Sequence, residues 1–203
     1  MMRRNFAPLW AAAVLGLAAC SSGPDRPSGP PRNQADACAI LDHDESWGPA
    51  LRTAERRWGA PPEVVLAIIQ RESSFRHDAR PPKKYAAFGL ISTGHVSSAY
   101  GYSQAIDGTW DWYRKETGRS GADRDDFSDA VDFVGWYLAK TETANGVGKR
   151  DAYAQYLAYH EGHRGYANGR WREKAWLMRA ASQVAALAET YRGQLTRCGG
   201  RLA

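Results

Sequence analysis

An apolar helical run in the first half of the chain places the strongest constraint on how this sequence folds. A proline pair opens the run, and residues 63–72 (Glu-Val-Val-Leu-Ala-Ile-Ile-Gln-Arg-Glu) continue it without a helix-breaking residue. Val65, Ile68, Ile69 and Glu72 follow the i, i+3, i+4, i+7 spacing, so the four side chains share one helical face. That face has to pack into a core, and it carries a carboxyl group with it.

The position of Glu72 predicts an acid with a raised pKa. Removal of a carboxyl group from water disfavours its charged form, and the negative end of the helix dipole disfavours that form again. Both effects move the pKa of Glu72 toward the range in which an acid donates its proton near neutral pH. The alternative is a helix-terminal glutamate in solvent, with an ordinary pKa.

Three short blocks, taken in order, resemble the signature blocks of the soluble lytic transglycosylase (SLT) domain of the lysozyme superfamily. They are residues 71–75 (Arg-Glu-Ser-Ser-Phe), residues 101–104 (Gly-Tyr-Ser-Gln) followed by Thr109, and residues 158–162 (Ala-Tyr-His-Glu-Gly). The resemblance covers roughly residues 48 to 180. Two features depart from the family pattern: the segment between Glu72 and Gly101 is longer than usual, and a histidine at position 160 replaces the family asparagine.

The resemblance implies an enzyme that cleaves the β-1,4 bond between N-acetylmuramic acid (MurNAc) and N-acetylglucosamine (GlcNAc) in the glycan strands of peptidoglycan. In that family one glutamate, here Glu72, acts first as acid on the bridging oxygen and then as base on the muramoyl 6-hydroxyl. The product carries a 1,6-anhydromuramoyl end, no water is consumed, and no cofactor is expected. Hydrolases normally add a second carboxylate, so the first alternative is a water-using muramidase with Asp78 or another loop acid as its base. The second is a peptidoglycan-binding lipoprotein without turnover.

The same resemblance implies further contacts around the acid, and each residue also has a purely structural interpretation. Ser73 would orient Glu72 or a sugar acetamide, or else only cap the helix end. Gln104 would bind substrate at the cleavage site, or else hold a loop, and the Tyr159 hydroxyl would contact the acid, or else lie in the core. His160 would contact substrate in place of the family asparagine. Aromatic residues flank the second block and are candidate sugar platforms: Tyr100, Tyr102, Trp110 and Trp112.

The first 33 residues predict export and a lipid anchor. Residues 1–19 have a basic start and an apolar stretch too short to span a bilayer, which is typical of a signal peptide. Leu17-Ala18-Ala19-Cys20 resembles the bacterial lipobox, in which the cysteine is lipidated; the alternative is an ordinary cleaved signal. Residues 20–33 are rich in proline, glycine and serine and predict a tether. Because Ser21 is not aspartate, the outer membrane, on its periplasmic side, is the expected location in the cell envelope.

Composition and charge narrow the remaining classes of partner. The formal net charge of the chain is +5, and removal of residues 1–19, which hold Arg3 and Arg4 and no acidic residue, leaves +3. This surplus is small, and without a Lys/Arg run nucleic acid is not an expected partner. A metal site is not expected either, because His160 and His163 lack the spacing that would put both on one helix face. A monomer is expected.

Cys38 and Cys198 are predicted to form a disulfide. Cys20 is assigned to lipid, the exported chain enters an oxidising compartment, and the two remaining cysteines lie near the two ends of the folded part. Closing a loop of about 160 residues restricts the unfolded chain by roughly 4 to 5 kcal/mol in the chain-entropy model. The alternative is two buried thiols.

The periodicity of apolar residues predicts an all-α, lysozyme-like fold in a single domain of residues 34–203. Residues 85–102, rich in glycine, serine and aromatic residues, predict a long loop or at most a small β-hairpin. Asp107 is predicted to cap the helix that starts at residue 109. The predicted helices are residues 36–57, 61–72, 109–117, 128–144, 151–160 and 171–191.

Overall fold

Helices make up most of the computed structural model, which describes residues 29–86 and 91–202. The predicted signal peptide and Cys20 lie outside the described residues. Eight α-helices and one antiparallel β-hairpin occur in the described part, and two short 3-10 helices, Arg170–Glu173 and Gly199–Leu202, flank the last α-helix. The elements are α1 Ala37–Leu41, α2 Trp47–Trp58, α3 Pro62–Ser73, β1 Lys83–Ala86, β2 Ile91–His95, α4 Asp107–Thr117, α5 Phe127–Asn145, α6 Ala152–Glu161, α7 His163–Ala167 and α8 Ala175–Cys198. The predicted all-α, lysozyme-like fold is confirmed.

Helix α3 lies at the centre of the core. Pro62 occupies its first turn, where the missing N–H has no helical partner to lose, and every residue from Pro62 to Ile69 is buried. The helix packs against α8, α5 and α2. Val65, Ile68 and Ile69 of the predicted face are therefore buried, and so are the other faces of the helix up to Ile69, which a stripe pattern does not predict. The last turn of α3 brings Glu72 to the edge of this core.

Three predicted helix boundaries are wrong. Residues 36–57 form two helices, because the Asp44 side chain accepts hydrogen bonds from the Ser46 N–H (2.9 Å) and hydroxyl and makes a turn between α1 and α2. Asp107 is not a cap: Ile106 holds the cap position of α4, and the Asp107 carboxylate pairs with Arg124 Nη1 at 2.9 Å. The last predicted helix also begins later, at residue 175, after the first 3-10 helix.

The segment around residues 85–102 forms the hairpin alternative. Strands β1 and β2 pair antiparallel, with Lys83 opposite His95 and Ala86 opposite Ile91. The four side chains of β1 are exposed. After β2 the chain returns to the domain, where the Gly101 N–H donates to the Ala79 carbonyl at 3.0 Å. The extra length therefore leaves the domain as a hairpin and rejoins it beside the second block.

A buried carboxylate joins three helices behind α3. Asp132 of α5 is 4% exposed and accepts hydrogen bonds from Arg57 Nη1 (3.0 Å) and Trp58 Nε1 (2.9 Å) of α2 and from the Tyr113 hydroxyl (2.7 Å) of α4. A buried charge is tolerated only with such partners. Helices α2 and α5 approach closely at Gly135, where a Cβ atom would lie 2.9 Å from the Trp58 ring.

The ends of the described chain are tied to the domain. Cys38 of α1 and Cys198 of α8 form the predicted disulfide. In the tether, Pro31 is buried and the Gly29 carbonyl lies 3.0 Å from His43 Nε2, so this end of the tether contacts the domain.

Within residues 29–86 and 91–202, no helix has the length and apolar character needed to cross a membrane.

Candidate active site

The three sequence blocks meet at one cavity of about 390 Å³. Helix α3 contributes the acid, and the rest of the lining comes from the stretch before α4, from Thr109 of α4, from α5 and from the end of α6. The lining residues are Glu72, Ala99, Gln104, Ala105, Ile106, Thr109, Phe133, Tyr137, Tyr159, His160, Glu161 and Gly162. Four predicted site residues, Glu72, Gln104, Tyr159 and His160, are thus brought together, whereas Ser73 and Tyr102 are not among the lining residues.

Glu72 is a partly exposed acid whose charged form is poorly solvated. Burial raises its pKa from the ordinary value to about 7, against the opposing effects of a hydrogen bond from Tyr156 and the positive charge of Arg71. A carboxyl group with this pKa exists in both protonation states near neutral pH. It is therefore able to give a proton and take one back in the same catalytic cycle.

Two tyrosines of α6 support the acid in different ways. Tyr156, which is not among the predicted site residues, lowers the pKa of Glu72 through a side-chain hydrogen bond. The Tyr159 hydroxyl, which was expected to contact the acid, donates instead to the Ser103 carbonyl at 2.7 Å. Burial and the nearby Glu72 charge raise the pKa of Tyr159 well above its ordinary value, so this hydroxyl keeps its proton.

The second block holds Gln104 in a constrained loop. Its backbone is left-handed (φ 51°), which is costly for a residue with a Cβ atom. Its side-chain Nε2 donates to the carbonyls of Ala79 and Gly101, both at 2.9 Å. The amide oxygen is then the end of the Gln104 side chain available to a ligand. No residue other than glycine fits at position 101, because a Cβ atom there would lie 2.0 Å from the Arg124 carbonyl oxygen.

Ser73 and Tyr102 lie away from the cavity around Glu72. The buried Ser73 hydroxyl donates back to the Ile69 carbonyl at 3.1 Å within α3. Tyr102 lines a separate cavity, where its ring meets Trp47 and Phe127 edge to face. Their proposed contacts with substrate stay predictions.

The third block closes the cavity with an ionic cluster. Glu161 Oε1 accepts a hydrogen bond from Lys174 Nζ at 2.6 Å and lies 3.2 Å from His160 Nδ1. Burial acts to raise the pKa of Glu161, but the hydrogen bonds and charges of Lys174 and His160 outweigh it and the pKa is lowered. The His160 ring packs edge-on against Trp176, with 5.0 Å between centroids. Glu161 was not among the predicted site residues.

A second cavity continues the first into a groove. It shares Thr109, Tyr137, Glu161 and Gly162 with the cavity around Glu72, and it extends along α4 and α7. Trp112, 42% exposed, lines this extension, whereas Trp110 is buried in the core. An open groove with an exposed aromatic ring is suited to an extended polymer.

Sequence reasoning missed Tyr156, which precedes the third block on α6, and Glu161, which lies within that block. Tyr156, Tyr159 and His160 share a face of the helix by their i, i+3, i+4 spacing. That spacing was a usable signal for Tyr156. The helix against which α6 packs is known only from the folded structure.

Among the described residues, no cluster of histidine, cysteine and acidic side chains is arranged to hold a metal ion.

Comparison with protein-family models agrees with the site. The model of the transglycosylase SLT domain matches residues 9–198. A search of curated proteins found no match to the sequence. The match spans nearly the whole chain, and within it an acid with a raised pKa ends a buried helix and lines a groove. The chain belongs to the transglycosylase SLT domain family of the lysozyme-like superfamily, and it is by that membership a peptidoglycan lytic transglycosylase, a lyase.

Proposed function

We propose that the protein cleaves the MurNAc–GlcNAc β-1,4 bond with Glu72 as its single acid and base, and leaves a 1,6-anhydromuramoyl end. The observation that carries this proposal is the pKa of about 7 at a carboxyl group that lines the groove. In the first step the Glu72 proton passes to the bridging oxygen as the bond to muramoyl C1 breaks. In the second step the carboxylate takes the 6-hydroxyl proton as O6 bonds to C1, which regenerates the acid without water.

The water-using alternative needs a second carboxylate that acts as a base or nucleophile. Asp78, the candidate from sequence, has a side chain that is 62% exposed and lies 3.6 Å from Arg76 Nε. It is not among the lining residues. Glu161 does line the cavity, but its lowered pKa makes it a weak base. These observations favour the single-acid route.

The test is digestion of purified sacculi with product masses. We expect wild-type protein to release muropeptides one water lighter than hydrolytic products, and Glu72→Gln to lose activity by several orders of magnitude, because the amide keeps the volume but cannot donate the proton. Glu63→Gln is the matched control: Glu63 is a buried carboxylate on the same helix, paired with Arg150 outside the groove. Comparable activity in Glu72→Gln, or products of full hydrolytic mass, would contradict the proposal.

We also propose that the protein is a monomeric lipoprotein, anchored through Cys20 to the outer membrane and facing the periplasm. The support is the lipobox resemblance and the absence of aspartate after Cys20. Cys20→Ser is expected to stay out of the detergent-extracted membrane fraction, because a short proline-rich segment has little membrane affinity of its own. A processed Cys20→Ser protein that still requires detergent would refute the anchor.

A further inference from the structure

Glu161, in the wall of the groove, has a carboxylate oxygen without a hydrogen-bond partner among the described residues. Its side chain is 1% exposed, and it lines both the cavity around Glu72 and the extension toward Trp112. One carboxylate oxygen, Oε1, is occupied by Lys174. The other, Oε2, is buried and has no hydrogen-bond partner among the described residues; Arg170 Nε lies 3.6 Å away, beyond hydrogen-bonding distance.

The ion pairs of Glu161 leave its second carboxylate oxygen without a hydrogen bond. Glu161 is the last residue of α6, where the helix dipole favours a cation and disfavours a carboxylate. A buried ion pair is commonly no more stable than apolar side chains of the same size, and a buried oxygen without a donor adds a desolvation cost. A ligand that donates to Oε2 would remove that cost.

The surroundings restrict what that ligand is. Lys174 and Arg170 already balance the charge of Glu161, so a further cation gains little. The carboxylate is ionised and can only accept hydrogen bonds. A neutral donor group is therefore the fitting partner. On the glycan of the proposed function, on which this inference rests, the neutral donors are the hydroxyls and the amide N–H of each sugar, and the N–H is the group that can only donate.

We propose that Glu161 Oε2 accepts a hydrogen bond from the 2-acetamido N–H of a sugar bound in the groove beside Glu72. Glu161 is then a specificity-determining residue that distinguishes N-acetylated glycans from hexose polymers with a 2-hydroxyl. Its contact is with the bound chain and not with the proton that Glu72 transfers.

The test measures binding without turnover. Calorimetry on the Glu72→Gln protein compares a GlcNAc tetramer with a β-1,4 glucose tetramer, which carries hydroxyls in place of the acetamido groups. Addition of Glu161→Gln is expected to weaken binding of the GlcNAc tetramer about tenfold, as loss of a hydrogen bond to a charged group does. Binding of the glucose tetramer is expected to change less than about twofold. Glu63→Gln in the same background is the control and is expected to change neither affinity.

The outcomes separate this inference from the proposed function. If Glu72→Gln binds the GlcNAc tetramer and Glu161→Gln leaves that affinity unchanged, or weakens both tetramers equally, the role of Glu161 is wrong while the proposed function stands. If Glu72→Gln binds no GlcNAc tetramer and wild-type protein releases no anhydro product, both are wrong. Should Glu161→Gln fail to fold, Glu161→Asp keeps the charge and withdraws the acceptor by one methylene, and the same selective loss is expected.

Discussion

Glu72 has its pKa set by a balance of three contributions. Burial at the end of α3 raises the pKa, whereas the Tyr156 hydrogen bond and the Arg71 charge lower it. Burial alone would hold the proton of Glu72 more firmly. Tyr156 and Arg71 return the pKa to about 7, where the acid and base steps are both accessible.

Tyr156→Phe is expected to raise the pKa of Glu72, because the lost hydrogen bond stabilises the carboxylate form. The first step needs the protonated acid, so kcat/KM falls as pH rises through that pKa. The alkaline limb of the rate profile on sacculi should therefore move to higher pH. Tyr153→Phe, on the same helix but beside a different cavity, should leave the limb in place. An unmoved limb in Tyr156→Phe, or a shift to lower pH, would contradict this balance.

The sequence located Glu72 but not its partner. Periodicity places Glu72 on a buried face from a dozen consecutive residues, because helix geometry alone fixes that face. The contact between Glu72 and Tyr156 joins residues 84 positions apart, and it depends on how α6 packs around the core. The same limit applies to Glu161, whose partners Lys174 and Arg170 follow in the next elements.

At the scale of the elements, the exit from α3 is a strained turn directly after the acid. Ser74 (φ 52°) and Phe75 (φ 58°) are both left-handed, and the Ser74 N–H closes the helix on the Gln70 carbonyl. Two such residues in succession are uncommon for side chains with a Cβ atom. The turn sends the buried Phe75 ring onto Trp47. Packing of that ring holds the end of α3, and with it Glu72, in place.

Ser74→Gly is expected to stabilise the protein by roughly 0.5 kcal/mol. Glycine adopts the left-handed conformation without strain, and this gain is larger than the cost of the greater conformational entropy of glycine in the unfolded chain. Urea unfolding measures the change. Ser182→Gly, at an exposed position inside α8, should instead destabilise the protein by about 0.5–1 kcal/mol. Equal losses in both variants would show that the turn at Ser74 carries no strain.

The helices follow from the sequence more fully than their connections do. The long apolar repeats of α3, α5 and α8 predict these helices because burial supplies most of their stability. The turn at Asp44 divides one predicted helix, since a local side-chain hydrogen bond there competes with the helical pattern. The sequence does not decide between a loop and a hairpin for residues 85–102. Strand β1 is exposed on both faces, so it lacks the alternation of apolar and polar residues that predicts a strand.

For the whole molecule, α8 is the element that holds the two sides of the site together. It packs against α3, which carries Glu72, and against α6, which carries Tyr156. Its last residue, Cys198, is bonded to Cys38 of α1. The disulfide therefore joins the start of the folded domain to the helix on which both halves of the site rest. Neither cysteine lines the groove.

The double variant Cys38→Ser/Cys198→Ser is expected to lose roughly 2–4 kcal/mol of unfolding free energy, because the bond closes a loop with a sequence separation of 160 residues and restricts the unfolded chain. Since the groove contains neither cysteine, activity on sacculi well below the melting temperature should persist. Urea unfolding with and without a reductant supplies the control: reductant should lower the stability of wild-type protein toward that of the variant and leave the variant unchanged. Equal stability of the two proteins under oxidising conditions would contradict the stabilising role, and loss of activity in a folded variant would show that the bond also shapes the site.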